Sequence, residues 1–256
     1  MSDASAPIVI APDWALSARV HVASSTRSGG TSSLPYDSLN LGLHVGDDEA
    51  TVRDNRAWLS EQLQLPTAPR WLNQVHGINV CRLSADQSAG SQFNDTDKAD
   101  AGWTNTPGAV VAVMTADCLP VVIANEQETA VAVAHAGWRG LADGVLKATC
   151  KLFAPDDKLH AWLGPAIGPT AFEVGEDVLQ AFVSRQPSNR AAFVDGAASG
   201  KYFADIYQLA RNELASIGDI TVTGGDHCTV SEPSLFFSHR RDGVRSGRMA
   251  TLAWLA

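Results

Sequence analysis

Apolar residues along the chain fall into two kinds of run, and together they predict alternating strands and helices. Short, nearly continuous apolar stretches recur at residues 18–24, 78–83, 109–115, 121–124, 130–135, 161–163 and 220–223. Continuous rather than alternating runs suit strands buried on both faces, with helices packed against the sheet. Four other segments carry apolar residues at helical spacing. Asp47-Asp48 can cap a run with Val52, Leu59 and Leu63 on one face, and Pro66 follows its end. Residues 140–153 place Leu141, Val145 and Leu152 on a stripe that Pro155 stops, and 176–185 carry Val178, Leu179 and Phe182. Residues 203–217 align Ile206, Leu209, Ala210 and Leu214, and Gly218 is a natural residue to end that helix. The polar stretches 84–100 and 187–201 read as long surface loops. The pattern predicts a mixed α/β (α+β) fold spanning residues 1–256 as one domain. It leaves strand order open.

Composition narrows what such a fold does. Apolar residues make up 45% of the 256, enough for a sizeable core, and charged residues only 18%. A net charge of -9 argues against a general nucleic-acid surface, which needs an excess of Lys and Arg, although a local arginine cluster can still bind a small anion. Residues 1–11 lack a basic segment followed by an apolar run, so no signal peptide is expected. No apolar run approaches the roughly 18 residues that span a bilayer. Cys81, Cys118, Cys150 and Cys228 form no CxxC pair and read as reduced thiols of a cytoplasmic protein. Cys81 and Cys150 read as small buried hydrophobes.

Three stretches carry candidate chemistry: Asn73-Gln74-Val75-His76-Gly77, Thr115-Ala116-Asp117-Cys118-Leu119-Pro120 and Ala134-His135-Ala136-Gly137-Trp138-Arg139-Gly140. Each puts one nitrogen or sulfur ligand at the edge of a strand-like run. A catalytic zinc keeps three protein ligands and one open position, and two histidines with a cysteine fit that set. The spacing is long-range, so a metal site requires all three stretches to converge in space. Taken singly, each residue has an ordinary structural explanation. Asp117 either orients a ligand, shuttles a proton or is an exposed turn carboxylate.

Other segments suggest anion binding less specifically. The glycine turn after His135 leads into a predicted helix whose N–H groups, with Arg139, suit an anion, or simply permits a tight turn. The stretch Thr26-Arg27-Ser28-Gly29-Gly30-Thr31 is rich in glycine and hydroxyls and suits a phosphate or sugar, or a flexible loop. Ser238-His239-Arg240-Arg241-Asp242-Gly243 reads as a basic turn or a solvated hairpin.

The three ligand stretches, with Ser38-Leu39-Asn40-Leu41-Gly42, Gly46-Asp47-Asp48, Asp54-Asn55-Arg56, Ala99-Asp100-Ala101, Gly164-Pro165-Ala166-Ile167-Gly168 and Phe236-Phe237-Ser238-His239-Arg240-Arg241, resemble the YfiH family. This family is also called the purine nucleoside phosphorylase YfiH or multicopper polyphenol oxidase laccase-domain family. The resemblance runs from about Thr26 to the C-terminus and is looser over 84–98. It implies central mixed sheets flanked by helices, in a fold shared with the catalytic domain of cytotoxic necrotizing factors. It also implies zinc at His76, Cys118 and His135, as catalytic and metal-binding residues. The implied enzyme phosphorolyses adenosine, inosine, guanosine and methylthioadenosine and deaminates adenosine, as a monomer whose partners are a purine nucleoside and phosphate.

Phosphate must then be held beneath C1′ of the ribose. Arg27, Arg56 and Arg139 are candidates for that, and Asn40 joins them as a candidate substrate-binding residue. Two alternatives stand beside this. One is a copper-dependent polyphenol oxidase (laccase), since Cu2+ outranks Zn2+ for such ligands. Multicopper oxidases use paired His-x-His elements, however, and no two of the seven histidines here lie within ten residues. The other is a metal-free Cys–His amide hydrolase that edits peptidoglycan precursors, with Cys118 as nucleophile.

Overall fold

The computed structural model describes residues 7–16, 18–83 and 98–256. Residues 84–97 of the loop expected over 84–100, and the extreme N-terminus, lie outside the described residues. In chain order the elements are β1 (Val9–Ile10), β2 (Val20–Ser25), α1 (Glu49–Gln62), β3 (Val80–Leu83), β4 (Ala101–Thr104), β5 (Val111–Thr115), β6 (Leu119–Asn125) and β7 (Val131–Ala136). There follow α2 (Trp138–Asp143), α3 (Val145–Cys150), β8 (Leu159–Leu163), β9 (Glu173–Gly175), α4 (Glu176–Val183) and β10 (Phe193–Asp195). β11 (Lys201–Ala204), α5 (Ile206–Ile217), β12 (Ile220–Gly224), α6 (His239–Asp242) and β13 (Met249–Leu255) complete the chain.

Two sheets stack face to face between helical layers. One has the strand order β1-β2-β13-β5 and is wholly antiparallel. The other runs β12-β8-β6-β7-β4-β3, with parallel pairs only at its two edges. Strands β5, β6 and β7 are buried on both faces, as their continuous apolar runs predict. Alternation along β6 sorts its side chains. Leu119, Val121 and Ile123 join the core under α2 to α5, whereas Val122 and Ala124 join the core between the sheets. Val110, Ala112 and Met114 turn the other way, toward Leu59 of α1. The result is a mixed α/β fold of four layers, α1, sheet, sheet and helices.

Local sequence accounts for the helix ends. Asp48 caps α1 by accepting the Thr51 N–H at 2.8 Å, and Asp205 caps α5 through Gln208 at 2.9 Å. The expected helix over 140–153 is corrected by Gly144, whose φ of 100° ends α2 and starts α3. The expected loop over 187–201 instead holds a 3-10 helix at Pro187–Ala192 and strand β10. Phe203, expected in a helix, pairs within β11. The short β9–β11 sheet and the C-terminal β13 are additions to the expected elements. Among the described residues, no helix is long and apolar enough to cross a membrane.

The β6–β7 hairpin places the site. Pro120 pairs with His135 and Leu119 with Ala136, so Cys118 and His135 meet at the open end of this ladder. His135 continues the face of Val131 and Val133, which looks between the sheets.

Candidate metal centre

His76, Cys118 and His135 offer ligand atoms that all lie within 4.8 Å of one another. Cys118 Sγ is 3.7 Å from His76 Nε2, and the two imidazole rings are 4.7 Å apart at 71°. Zinc with ordinary bond lengths in a tetrahedron holds such atoms roughly 3.3–3.6 Å apart, a spacing that the Cys118–His76 pair nearly has and that the whole trio reaches by contracting. His135 is buried, Cys118 half-buried and His76 exposed, so the cluster is open on one side. The chemistry of the donor set and its spacing therefore fit a three-ligand metal with a free position.

Asp100 builds this arrangement. Its carboxylate is fully buried, and Oδ1 lies 2.9 Å from His135 Nδ1. That bond leaves Nε2 of His135 for a metal, the carboxylate–histidine pairing common behind metal ligands. The same carboxylate accepts the backbone N–H groups of Val75, His76 and Gly77 at 3.2, 2.8 and 2.7 Å. These bonds hold the turn in which His76 takes a φ of 59°. Gln74 anchors the other side, pairing its side-chain amide with the N–H and C=O of Met114, both at 2.7 Å. One acid thus sets two of the three candidate ligands.

The charges suit a metal. Burial resists ionisation of the Cys118 thiol, but the charge and hydrogen bond of His135, then those of His76, outweigh it and bring it to about 6. Burial would lower His135, yet the Cys118 thiolate and the Asp100 carboxylate raise it to about 9. Between about pH 7 and about 9 the metal-free pair therefore carries one proton, on His135, that a metal must displace. Zinc affinity is expected to rise about tenfold per pH unit across that window and to level off above it. Competition with a calibrated chelator at several pH values checks this, and a flat profile would count against it.

Gly137, between β7 and α2, makes room for the cluster. A Cβ there would sit 2.8 Å from His76 Cδ2 and 3.0 Å from Cys118 Sγ. Gly137→Ala is expected to push the His76 ring aside and lower zinc affinity about tenfold, since ligand placement tolerates little error. The apo melting temperature should barely move, and a matching loss of apo stability would instead mean a general packing fault.

The trio opens into a cavity of about 700 Å³. Trp138, Ile167 and Phe172 form apolar wall, and Arg139, Arg240, Arg248 and His239 line it as well. The family model for multi-copper polyphenol oxidoreductase laccase matches residues 21–256. The chain belongs to the YfiH/laccase-domain family. Purine nucleoside phosphorylase YfiH of Escherichia coli (strain K12) is 50% identical over 248 residues, 96% of this chain and 98% of that protein. A purine nucleoside phosphorylase of Pseudomonas aeruginosa is also 50% identical, over 247 residues, 96% of this chain and 98% of that protein. Among solved structures, the Neisseria meningitidis protein NMB0706 is 47% identical with a TM-score of 0.88, covering 97% of this chain and 99% of that one. YlmD from Geobacillus stearothermophilus is 30% identical, also with a TM-score of 0.88, over 98% and 97% of the two chains.

In this YfiH-family chain the arginines singled out by sequence part company. Arg139 lines the cavity, stacked over Trp138 with its guanidinium 4.2 Å from the ring. Arg27 does not; it bonds the Asp37 and Pro233 carbonyls, pairs with the Asp37 carboxylate and lies over Phe237. Arg56 is buried in α1, bonded to the Leu41 carbonyl and stacked 4.0 Å over Trp71. Asn40 is buried in a network with Gly42, Asp47, Asn55 and Arg248. Asp117 is not an exposed turn carboxylate. It is buried at a φ of 89°, accepting the Thr229 hydroxyl and the Arg240 N–H, both at 2.6 Å.

The helix after His135 begins at Trp138 and runs six residues, so cationic side chains, more than a helix end, supply positive charge here. The basic stretch at 238–243 forms α6, capped by Ser238, and delivers His239 and Arg240 to the cavity. The sequence marks Asp100 only as part of the family stretch Ala99-Asp100-Ala101, with no role, and gives no sign of Arg248.

Proposed function

We propose that this protein is a zinc-dependent purine nucleoside phosphorylase acting on adenosine, inosine, guanosine and methylthioadenosine, with adenosine deamination as a side activity. The observation that carries the reading is the convergence of His76, Cys118 and His135 in a cavity lined by Arg139, Arg240 and Arg248. Relatives half identical over nearly the whole chain bear the phosphorylase name. A cavity of about 700 Å³ suits a nucleoside with phosphate.

In phosphorolysis a phosphate oxygen bonds to C1′ as the C1′–N9 bond breaks. The electron pair of that bond leaves with the purine, which takes up a proton on nitrogen. Trp138 and Phe172 offer aromatic faces for the base, and the arginines hold the phosphate against C1′. His76, Cys118 and His135 would hold the zinc, with Asp100 fixing the tautomer of His135. A bound zinc supplies Lewis acidity to an oxygen placed at its open position. A laccase-type copper cluster is disfavoured, since among the described residues just two of the seven histidines, His76 and His135, gather at a candidate metal site, together with Cys118.

The test is incubation of purified protein with adenosine, with and without phosphate and with a chelator. Adenine and ribose 1-phosphate are expected in equal amounts, only with phosphate, and not after chelation. Inosine formed at the same rate without phosphate would make deamination the main activity. Neither product from metal-replete protein would overturn the reading and favour a Cys–His hydrolase.

A further inference from the structure

Arg248 stands apart among the cationic residues of the cavity because the fold immobilises it. Its N–H donates to Asn40 Oδ1 at 2.9 Å, and its carbonyl accepts the Leu41 N–H at 3.1 Å. Its stem packs against Gly42, where any side chain would clash: a Cβ there would lie 2.7 Å from Arg248 Cγ. Nη1 donates to the carbonyls of Ser246 and Gly247 at 2.7 and 3.0 Å. Nε and Nη2 have no such partner among the described residues, and the side chain lines the cavity. The guanidinium is thus fixed on one edge and open on the other, the edge from which arginine donates two parallel hydrogen bonds to an oxyanion.

The surrounding charge points the same way. In a protein of net charge -9, none of Arg139, Arg240 and Arg248 has a carboxylate within ion-pair distance among the described residues. Arg240 donates Nη1 to the Ala171 carbonyl at 3.2 Å and leans over Phe172. Its backbone is pinned by Asp117, the neighbour of Cys118. Burial lowers the pKa of Arg248 from its ordinary value, which marks a charge held without its usual hydration. Arg139 and Arg240 are exposed, but Arg248 is half-buried, and a half-buried guanidinium without an ion-pair partner gains from a ligand anion even with the charges of Cys118 and Asp117 acting on it.

We infer that Arg248, with Arg240 lining the same cavity, forms its phosphoryl-binding subsite. This deepens the phosphorolysis reading and rests on it for the choice between the two sources of such a group, free phosphate or the 5′-phosphate of a nucleotide. The inference also explains the Ser38-Leu39-Asn40-Leu41-Gly42 stretch. Asn40 and Gly42 lie outside the cavity lining, yet they hold the residue that donates into it.

The experiment is calorimetric titration of zinc-loaded protein with inorganic phosphate and, separately, with AMP. Arg248→Met, which keeps most of the apolar stem, is expected to weaken binding at least about tenfold, the cost of losing a charge-assisted hydrogen bond. Its zinc content should equal that of the wild type, and Arg27→Met should bind as the wild type does. Loss confined to phosphate assigns the subsite to free phosphate, and loss confined to AMP assigns it to a nucleotide. Equal binding by Arg248→Met, or no binding of either anion by wild type, overturns the inference.

Should Arg248→Met fail to fold, the wild-type protein still decides. Phosphate or AMP should protect Arg248, and not Arg27, from an arginine-specific dicarbonyl reagent mapped by mass spectrometry. No protection is the contrary result. Phosphate bound through Arg248 without adenine release from adenosine would instead sink the phosphorylase reading and leave the subsite standing.

Discussion

Asp100→Asn is expected to lower zinc affinity by about 10–100-fold or more, although no metal ligand is touched. The size follows from how many bonds meet at one carboxylate. Oδ1 serves His135 Nδ1 and the His76 N–H, and Oδ2 serves the Val75 and Gly77 N–H groups. An asparagine presents one NH2 in place of an oxygen. Whichever way it turns, donors then face a donor in a buried site, at about 1–3 kcal/mol for each unmet group. The turn carrying His76 at positive φ loses its anchor as His135 loses its orientation. Chelator competition reads the affinity, and a variant that binds zinc as tightly as wild type would refute the role assigned to Asp100.

Cys118→Ser has the second large effect expected, the loss of stoichiometric zinc together with the activity. A serine hydroxyl at this position does not ionise near neutral pH, and zinc prefers thiolate among such ligands. The metal-free protein carries an independent signature. The Cys118 thiolate is the largest influence raising His135 against burial, so its removal should bring the His135 pKa down from about 9. The sign is fixed: a histidine deprived of a nearby anion holds its proton less well. NMR titration of the His135 ring in both proteins measures it. An unchanged pKa, or one zinc per chain retained in the variant, would contradict the site.

How much of this was legible in the sequence differs by residue type. The positions of the candidate ligands were, since a cysteine and two histidines beside glycine or proline at strand ends can be picked out, but their convergence is a property of the fold, and each alone has an ordinary structural explanation. Strands β5 to β7 were too, because burial on both faces leaves a continuous apolar run. Asp100 stood out only within the family stretch Ala99-Asp100-Ala101, and its role did not, because its partners lie 24 and 35 residues away and its own neighbourhood reads as a polar loop. Arginines are hard to place for a related reason. Arg27 and Arg56 sit in motifs as distinctive as that of Arg139, but the direction of a long side chain depends on which carbonyls the fold brings near it. The carbonyl of Leu41 captures Arg56, and those of Asp37 and Pro233 capture Arg27. Arg248 was hidden at the edge of the unanticipated strand β13. Strands β9 to β11, only three or four residues each, are too short for a period-2 pattern to show.

One titration tests the metal dependence of the activity most directly. Zinc is added back to chelated wild-type protein while adenine release from adenosine is followed in the presence of phosphate. Activity should rise linearly and stop rising at one zinc per chain. Full activity before any metal is added would contradict the account, as would a requirement for several coppers.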